Sequence, residues 1–564
     1  MPSVSNTVNR RRTLPTAAFT LITVWVVLLV AVGGFRLVAW PRPTWQTWIL
    51  GIMPIPEALL LFGLLLLIGS AETRRGYWIP VWLFLGLLVV WNVGEVVYRW
   101  NYRDHFVLVD DLSLFPSLLT MLTRLGWFRG PLGSAAVYLV IIILMILIGG
   151  MLLRLIRAAA MVFKPSMRAV VLGIAIIIAA FFQVLIFSQE TPTILLLNSI
   201  AARPVEDILE RESSPSRMVF TPEQIEAAQR TFEQMENRSN YAYPGIGDGD
   251  IHLLVVESYG HTLFTNPVHR DNIRPVLGEI SAKLEDEGWL VRSGFLDSPA
   301  FGGRSWLADA TLITGRRMTN QRIFDGHIYT GDANLSGQMS AAGYRTVYAA
   351  PGTRRTPEDW KDYYGYDDFI IEGDFGWEGP FISFGNMSDQ FLLNTVGRRY
   401  FESDEPVFLA ALLVSSHVPF VRIPEYISDW DRLGDGSLYA DEGIRRFNNN
   451  WLGGSEYPEG YVYSIGYVLE TIAGYMERYA DEDSLVVIVG DHQPRTPISE
   501  GSATSGVPVH FLSKTAATLH PLPDEFFSQG FIPSDDLPLR PMEDFPEFLN
   551  LVLKPQGALS SYLR

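Results

Sequence analysis

Five long apolar runs crowd the first third of the chain, at about 17–39, 46–70, 77–98, 134–153 and 169–188. A helix needs about 20 apolar residues to cross the hydrocarbon core of a bilayer, and each run is near that length. The run from Tyr138 to Leu153 reads YLVIIILMILIGGMLL, without one charge. Arg10, Arg11 and Arg12 precede the first run as they would in a signal peptide, but that run is too long for one and lacks a small-residue cleavage site. Five membrane-spanning helices are therefore predicted. Arg10 to Arg12, then Arg74 and Arg75, then Arg154, Arg157, Lys164 and Arg168 all fall on one side if every run crosses. Short loops rich in Lys and Arg stay cytoplasmic, so an odd number of spans places residues 189–564 outside. Leu112 to Trp127 is expected to lie along the membrane surface. Glu57, beside Pro54 and Pro56 in the second run, is an intramembrane carboxylate and a functional candidate; a packed helix with Glu57 protonated or facing the outer leaflet explains it more simply.

Composition supports a joint architecture. Hydrophobic residues make up 48% and charged residues 19%, yet the net charge is -17. Residues 1–188 hold about 15 Lys+Arg against about 6 Asp+Glu, which leaves about 29 against 55 for the remainder. A membrane part is thus joined to a strongly acidic soluble part. Such a surface repels phosphate backbones, which argues against nucleic acid as a partner. There is no cysteine, which excludes disulfides, thiolate metal sites and cysteine nucleophiles.

The expected domains are 1–190 (membrane helices), 191–248 (connector), 249–515 (catalytic domain) and 516–564 (a C-terminal extension packed on it). In the connector, Thr221-Pro222-Glu223-Gln224 combines a cap, a first-turn Pro and a capping-box Gln, and should open an amphipathic helix from Ile225 to Met235. From Asp250 the pattern changes. Ile251 to Val256, Pro406 to Val414 and Ser484 to Val489 read as continuous apolar strands, with helical stretches such as Tyr461 to Tyr479 between them. That alternation implies a mostly parallel sheet sandwiched by helices, with sites at the carboxyl ends of the strands.

Polar residues stand at those ends: Glu257 after the first strand, Ser415-Ser416-His417 after the second, Asp491-His492 after the third. Two carboxylates and an imidazole suit Zn²⁺, Mn²⁺ or Mg²⁺. A nucleophile is expected on a turn that opens a helix, and Phe301-Gly302-Gly303-Arg304-Ser305-Trp306 provides one, with Ser305 heading a helix through Thr311. Its hydroxyl would meet the positive helix end, where phosphate is also favoured. Ser298 is the rival nucleophile. His261, four residues past Glu257 and within reach of the site, and His510, placed after a strand, read as structural; His252, His269 and His327 remain without an assigned role.

The ordered set VVES, GGRS, SSHVPF and VVIVGDHQP resembles the alkaline phosphatase/sulfatase superfamily. More narrowly it is similar to the membrane-anchored branch that contains lipoteichoic acid synthases, phosphoglycerol transferases and lipid A phosphoethanolamine transferases. Met387-Ser388-Asp389-Gln390 and Tyr463-Ser464-Ile465-Gly466-Tyr467 match that branch too. The resemblance implies an N-terminal five-helix bundle and an extracytoplasmic sulfatase-like α/β domain. It makes Glu257, Asp491 and His492 metal ligands, Ser305 both nucleophile and fourth ligand, and His417 a group that binds the phosphate or protonates the leaving group. Arg354, Arg355 and Trp360 fall at a substrate-loop position. Members that transfer phosphate usually carry Thr where Ser305 stands. Leu307 and Asp309 replace the Pro and Arg that formylglycine conversion needs, which disfavours sulfatase chemistry. The missing cysteines favour the phosphoglycerol branch.

The implied activity is metal-dependent transfer of a phosphoglycerol or phosphoethanolamine headgroup from an outer-leaflet phospholipid to an envelope glycan or lipid, through a covalent phospho-Ser305. The implied location is a bacterial-type inner membrane, with a cytoplasmic N-terminus and a periplasmic or extracellular catalytic domain. The alternatives are a membrane-bound phosphodiesterase or sulfatase that uses water, and a non-catalytic module that binds or senses envelope glycan.

Overall fold

The structure, a computed structural model, describes residues 249–553 apart from 329–333, 354–357, 383–386, 403–404, 451–452, 497 and 500–503. The five apolar runs, Glu57 and the connector helix lie outside the described residues. Among those described, no helix is long and apolar enough to cross a membrane.

In chain order the elements are β1 (Ile251–Val256), α1 (Thr262–Thr265), α2 (Pro267–Asp286), β2 (Leu290–Asp297), α3 (Ser305–Thr314), α4 (Gln321–Ile328) and α5 (Leu335–Ala341). Next come β3 (Arg345–Ala350), α6 (Glu358–Tyr364), β4 (Asp368–Ile371), α7 (Asp389–Tyr400), β5 (Val407–Leu413), β6 (Arg422–Pro424), β7 (Ile444–Arg446), β8 (Asn449–Asn450) and β9 (Gly453–Gly454). The last are α8 (Tyr457–Tyr479), β10 (Leu485–Gly490), β11 (Gly506–Ser513), α9 (Ala516–Leu519), β12 (Ser528–Gln529), β13 (Leu539–Pro541) and α10 (Phe545–Leu553).

The main sheet runs β12-β2-β11-β10-β1-β5-β3-β4, with β13 on β2. β10, β1, β5, β3 and β4 are mutually parallel. β11 is antiparallel to both β10 and β2, and β12 is antiparallel to β2. The sheet is therefore mixed at one side, where the sequence led us to expect mainly parallel pairing. An apolar strand reads alike in either direction, so its polarity is not written in its composition.

Both faces are covered. Leu254, Val256, Val407, Leu409, Ala411, Leu413, Val486 and Ile488 point into one core with α2, α7 and α8. Ile251, Leu253, Val255, Phe408, Ala410, Leu485, Val487 and Val489 point into the other, with α3, α4, α5 and α10. This is the two-residue alternation of a strand buried on both sides. α8 begins at Tyr457, four residues before the sequence-based start, because Pro458 suits a first turn. Past residue 515, β12 and β13 extend the main sheet through β2, and Phe545 of α10 stacks on Phe511 of β11.

Candidate active site

The register of the sheet brings the two acids together. Ile251 of β1 lies opposite Leu485 of β10, and the pairing continues to Val256 opposite Gly490. One residue further, Glu257 and Asp491 leave neighbouring strands side by side. The ladder holds past the strand ends: Glu257 donates its N–H to the Leu413 carbonyl at 2.9 Å, and Asp491 to the Val256 carbonyl at 3.2 Å. Strand alternation points both acids to the face that α3 covers.

Ser305 arrives from a strained turn. Gly302, Gly303 and Arg304 have φ of 68°, 144° and 65°. Glycine tolerates such values, whereas an arginine there costs about 1 kcal/mol. Arg304 is thus the helix cap and Ser305 the first helical residue. The turn is tied down where Gly302 donates to the Gln493 carbonyl at 2.9 Å.

The four side chains converge. Ser305 Oγ donates to Glu257 Oε2 at 2.9 Å and lies 3.2 Å from His492 Nε2. His492 Nε2 is 3.3 Å from Glu257 Oε1 and 3.3 Å from Asp491 Oδ2. Glu257, Asp491 and His492 are buried, with one donor atom from each within 4.8 Å of the others. His492 Nδ1 faces the Gln493 carbonyl at 2.8 Å and must donate to it. In the neutral ring the Nε2 lone pair therefore points at two carboxylates. Two carboxylates, a hydroxyl oxygen and Nε2 meeting at one buried point need positive charge among them, either a proton on Nε2 or a bound cation. A divalent ion fits this donor set, which offers oxygen ligands and one imidazole.

The charges of the ligands record the same crowding. Burial opposes a cationic His492, but Asp491 and Glu257 outweigh it and push the imidazole up to about 9. Burial and the charge of Glu257 push Asp491 up to about 8. Burial works to raise Glu257, yet His417 and His492 hold it below the usual carboxylate range.

His417 stands at the rim, half-buried, on the turn that follows β5. Its Nδ1 donates to the Val418 carbonyl at 2.6 Å, which makes Nε2 the basic nitrogen of the neutral ring. Burial lowers its pKa against the pull of Glu257.

Several further residues support the ligands. Ser258 has φ of 59°; its N–H donates to Asp491 Oδ1 at 2.7 Å and its hydroxyl to Glu257 Oε1 at 3.2 Å. Tyr461 of α8 secures it through a 3.0 Å hydrogen bond to the Ser258 carbonyl. Ser416 Oγ donates to the Glu257 carbonyl at 2.5 Å. Asp309, one turn below Ser305 on α3, is a buried acid raised well above its ordinary range by burial and by Asp491 and Glu257. A strand end followed by Ser, and an acid four residues after a nucleophile candidate, were the available signals.

Ser298, the rival nucleophile, is buried, and its hydroxyl donates to the Asp491 carbonyl at 2.6 Å. It anchors the ligand loop. His510 lies inside β11 rather than after a strand, bonded to Ser293 Oγ at 2.7 Å and Tyr259 OH at 3.0 Å. His261 packs edge-on against Phe295 at 4.6 Å. His252 bonds Tyr475 OH, His269 bonds the Ile498 carbonyl, and His327 packs against Tyr363. Trp360 is half-buried on α6, its ring edge against Phe324 at 4.8 Å. Arg354 and Arg355 lie outside the described residues.

No family model matches the sequence, and no curated protein matches it. Solved structures similar to it include the lipoteichoic acid synthase LtaP of Listeria monocytogenes, at 15% identity over 60% of this chain and 79% of that one, with a TM-score of 0.36. The phosphoglycerol transferase GacH of Streptococcus pyogenes, in complex with sn-glycerol-1-phosphate, is 14% identical over 59% of this chain and 83% of that one, with a TM-score of 0.35. The lipooligosaccharide phosphoethanolamine transferase EptA of Neisseria meningitidis is 13% identical, covers 95% of this chain and 94% of that one, and has a TM-score of 0.47. These are the kinds of enzyme that the ordered motifs resemble.

Proposed function

We propose that this chain is a membrane-anchored, metal-dependent transferase. It would move a phosphoglycerol or phosphoethanolamine headgroup from a phospholipid onto a glycan or lipid of the envelope. The observation that carries the reading is the Ser305 hydroxyl at the head of α3, in contact with Glu257 and His492 within a buried donor set. An isolated carboxylate pair would suit hydrolysis by water equally well; a helix-heading hydroxyl directed into it suits a covalent intermediate.

Glu257, Asp491, His492 and Ser305 would hold a divalent cation, Mn²⁺, Zn²⁺ or Mg²⁺. When bound, it would neutralise charge on the phosphoryl oxygens and lower the pKa of the hydroxyl. In the first step Ser305 Oγ bonds to phosphorus as the bond to the diacylglycerol oxygen breaks. The serine proton is released to water, and His417, protonated at Nε2 for this step, supplies a proton to the departing oxygen. The N-terminal N–H groups of α3 face the transferred anion. In the second step an acceptor hydroxyl bonds to phosphorus as the Ser305 Oγ–phosphorus bond breaks, gives its proton to His417 Nε2, and Ser305 Oγ regains a proton from water. Arg354, Arg355 and Trp360 are the proposed headgroup contacts, with Arg suited to a phosphate fork. The five apolar runs tether the domain to the membrane, in the inner membrane of a bacterial-type cell with residues 189–564 outside, and raise the effective concentration of lipid donor.

Ser305→Ala tests the assignment. It should abolish transfer while Mn²⁺ still binds through Glu257, Asp491 and His492 and the thermal melt is retained. Full activity would remove Ser305 as nucleophile. Free headgroup released at the same rate with and without a glycan acceptor would mark a hydrolase instead.

A further inference from the structure

The Met387-Ser388-Asp389-Gln390 stretch contributes nothing to the chemistry just described, yet Asp389 is a fully buried acid. It opens α7, where an acid is favoured by the helix dipole, but Ser388 already caps that helix by accepting the Phe391 N–H at 3.1 Å. The Asp389 carboxylate turns to another element. One oxygen accepts the Val414 N–H at 2.9 Å and the other accepts the Ser415 N–H at 3.0 Å. The grip is returned, because Ser415 Oγ accepts the Asp389 N–H at 3.1 Å.

These bonds fall on the turn that follows β5. The next residue, Ser416, donates its hydroxyl to the Glu257 carbonyl. His417 closes the turn by donating its N–H to the Val414 carbonyl at 3.0 Å. Val414 is therefore held at its N–H by Asp389 and at its carbonyl by His417. Only a carboxylate offers an acceptor to each of two successive N–H groups; an amide of the same shape would set its own NH₂ against one of them.

We infer that Asp389 is a positioning residue for His417, fixing the β5 turn so that the imidazole keeps its place beside Glu257. The inference rests on the assignment of His417 as the proton donor and acceptor of the transfer. Asp389 touches none of the reacting atoms, so it acts through the backbone of the turn. Hydrogen bonds that orient a functional side chain in this way set activity by roughly 10–100-fold.

The test uses the full chain in detergent, with Mn²⁺ and vesicles of phosphatidylglycerol and phosphatidylethanolamine, and reads headgroup release, KM and Mn²⁺ affinity. Asp389→Asn should lower kcat by roughly 10–100-fold and leave KM and Mn²⁺ affinity near those of the native chain. His417→Ala should lower kcat at least as far. The double variant should be no slower than His417→Ala alone, because a clamp has no work left once its imidazole is gone. A native kcat for Asp389→Asn overturns the inference, and so do penalties that multiply in the double variant. An active His417→Ala removes the acid–base assignment and this inference together; a crippled His417→Ala with multiplying penalties removes the inference alone. Should Asp389→Asn fail to fold, Ser415→Ala loosens the same grip without a buried charge. It should lower kcat by roughly five-fold, the worth of one hydrogen bond, with the same dependence on His417.

Discussion

Gly490 closes β10 and immediately precedes Asp491, and the structure sets the consequence of giving it a side chain. A Cβ there would stand 2.0 Å from the Tyr259 carbonyl oxygen and 3.1 Å from Val507 Cβ, whereas real Cβ atoms essentially never come within 3.0 Å of a neighbour. The obstruction is backbone, so no side chain can swing aside. For Gly490→Ala the end of β10 and the turn after Glu257 must part by about 1 Å. Overpacking of this kind costs about 1–3 kcal/mol. Those two segments carry Asp491, His492 and Glu257, and a 1 Å misplacement of reacting groups costs about 100-fold in rate. Gly490→Ala should therefore lose about 1–3 kcal/mol in urea unfolding and bind Mn²⁺ roughly 10–100-fold more weakly by calorimetry. Gly278, exposed on α2 with nothing within 4 Å of its virtual Cβ, is the control, since Gly278→Ala should gain about 0.5–1 kcal/mol from helix propensity. A Gly490→Ala protein with native stability and native Mn²⁺ affinity would refute the claim that close backbone approach holds the ligands in place.

Removing metal should destabilise the domain, because Glu257 and Asp491 are then left facing each other. Mn²⁺ at 100 times its Kd should raise stability by about 2.7 kcal/mol over the EDTA-treated protein, and identical melts with and without Mn²⁺ would contradict the donor set. His252 is fully buried, and burial depresses its pKa to about 3. Unfolded histidine titrates near 6.5, so its contribution is complete above that pH and is lost as pH falls toward 3. Between pH 7 and pH 5 the native chain should lose about 2 kcal/mol relative to His252→Leu; parallel stability curves for the two would count against a neutral buried ring.

The legible parts were those whose signal lies within one segment. β1, β5 and β10 are continuous apolar runs, and the abrupt change to Glu257, His417 and Asp491-His492 marks their carboxyl ends. Two glycines announced the turn before Ser305. What the sequence concealed depends on distant partners. β11 runs antiparallel because of where residues 506–513 meet β10 and β2, not because of their composition. His510 offers the chemistry of a ligand, yet β11 aims it at Ser293 and Tyr259. Ser258, Ser416 and Asp389 act through main-chain hydrogen bonds across 25 to 233 positions of sequence, and residue type alone does not reveal such bonds. Arg304 in a left-handed conformation is equally silent, since nothing about an arginine predicts positive φ.

The most direct measurement is the intact mass of the full-length protein after incubation with Mn²⁺ and phosphatidylglycerol or phosphatidylethanolamine vesicles, followed by peptide mapping. A glycerol-phosphate or ethanolamine-phosphate adduct is expected on the peptide containing Ser305, absent in Ser305→Ala and discharged when an acceptor glycan is added. Steady release of free headgroup with no adduct at any time would contradict it.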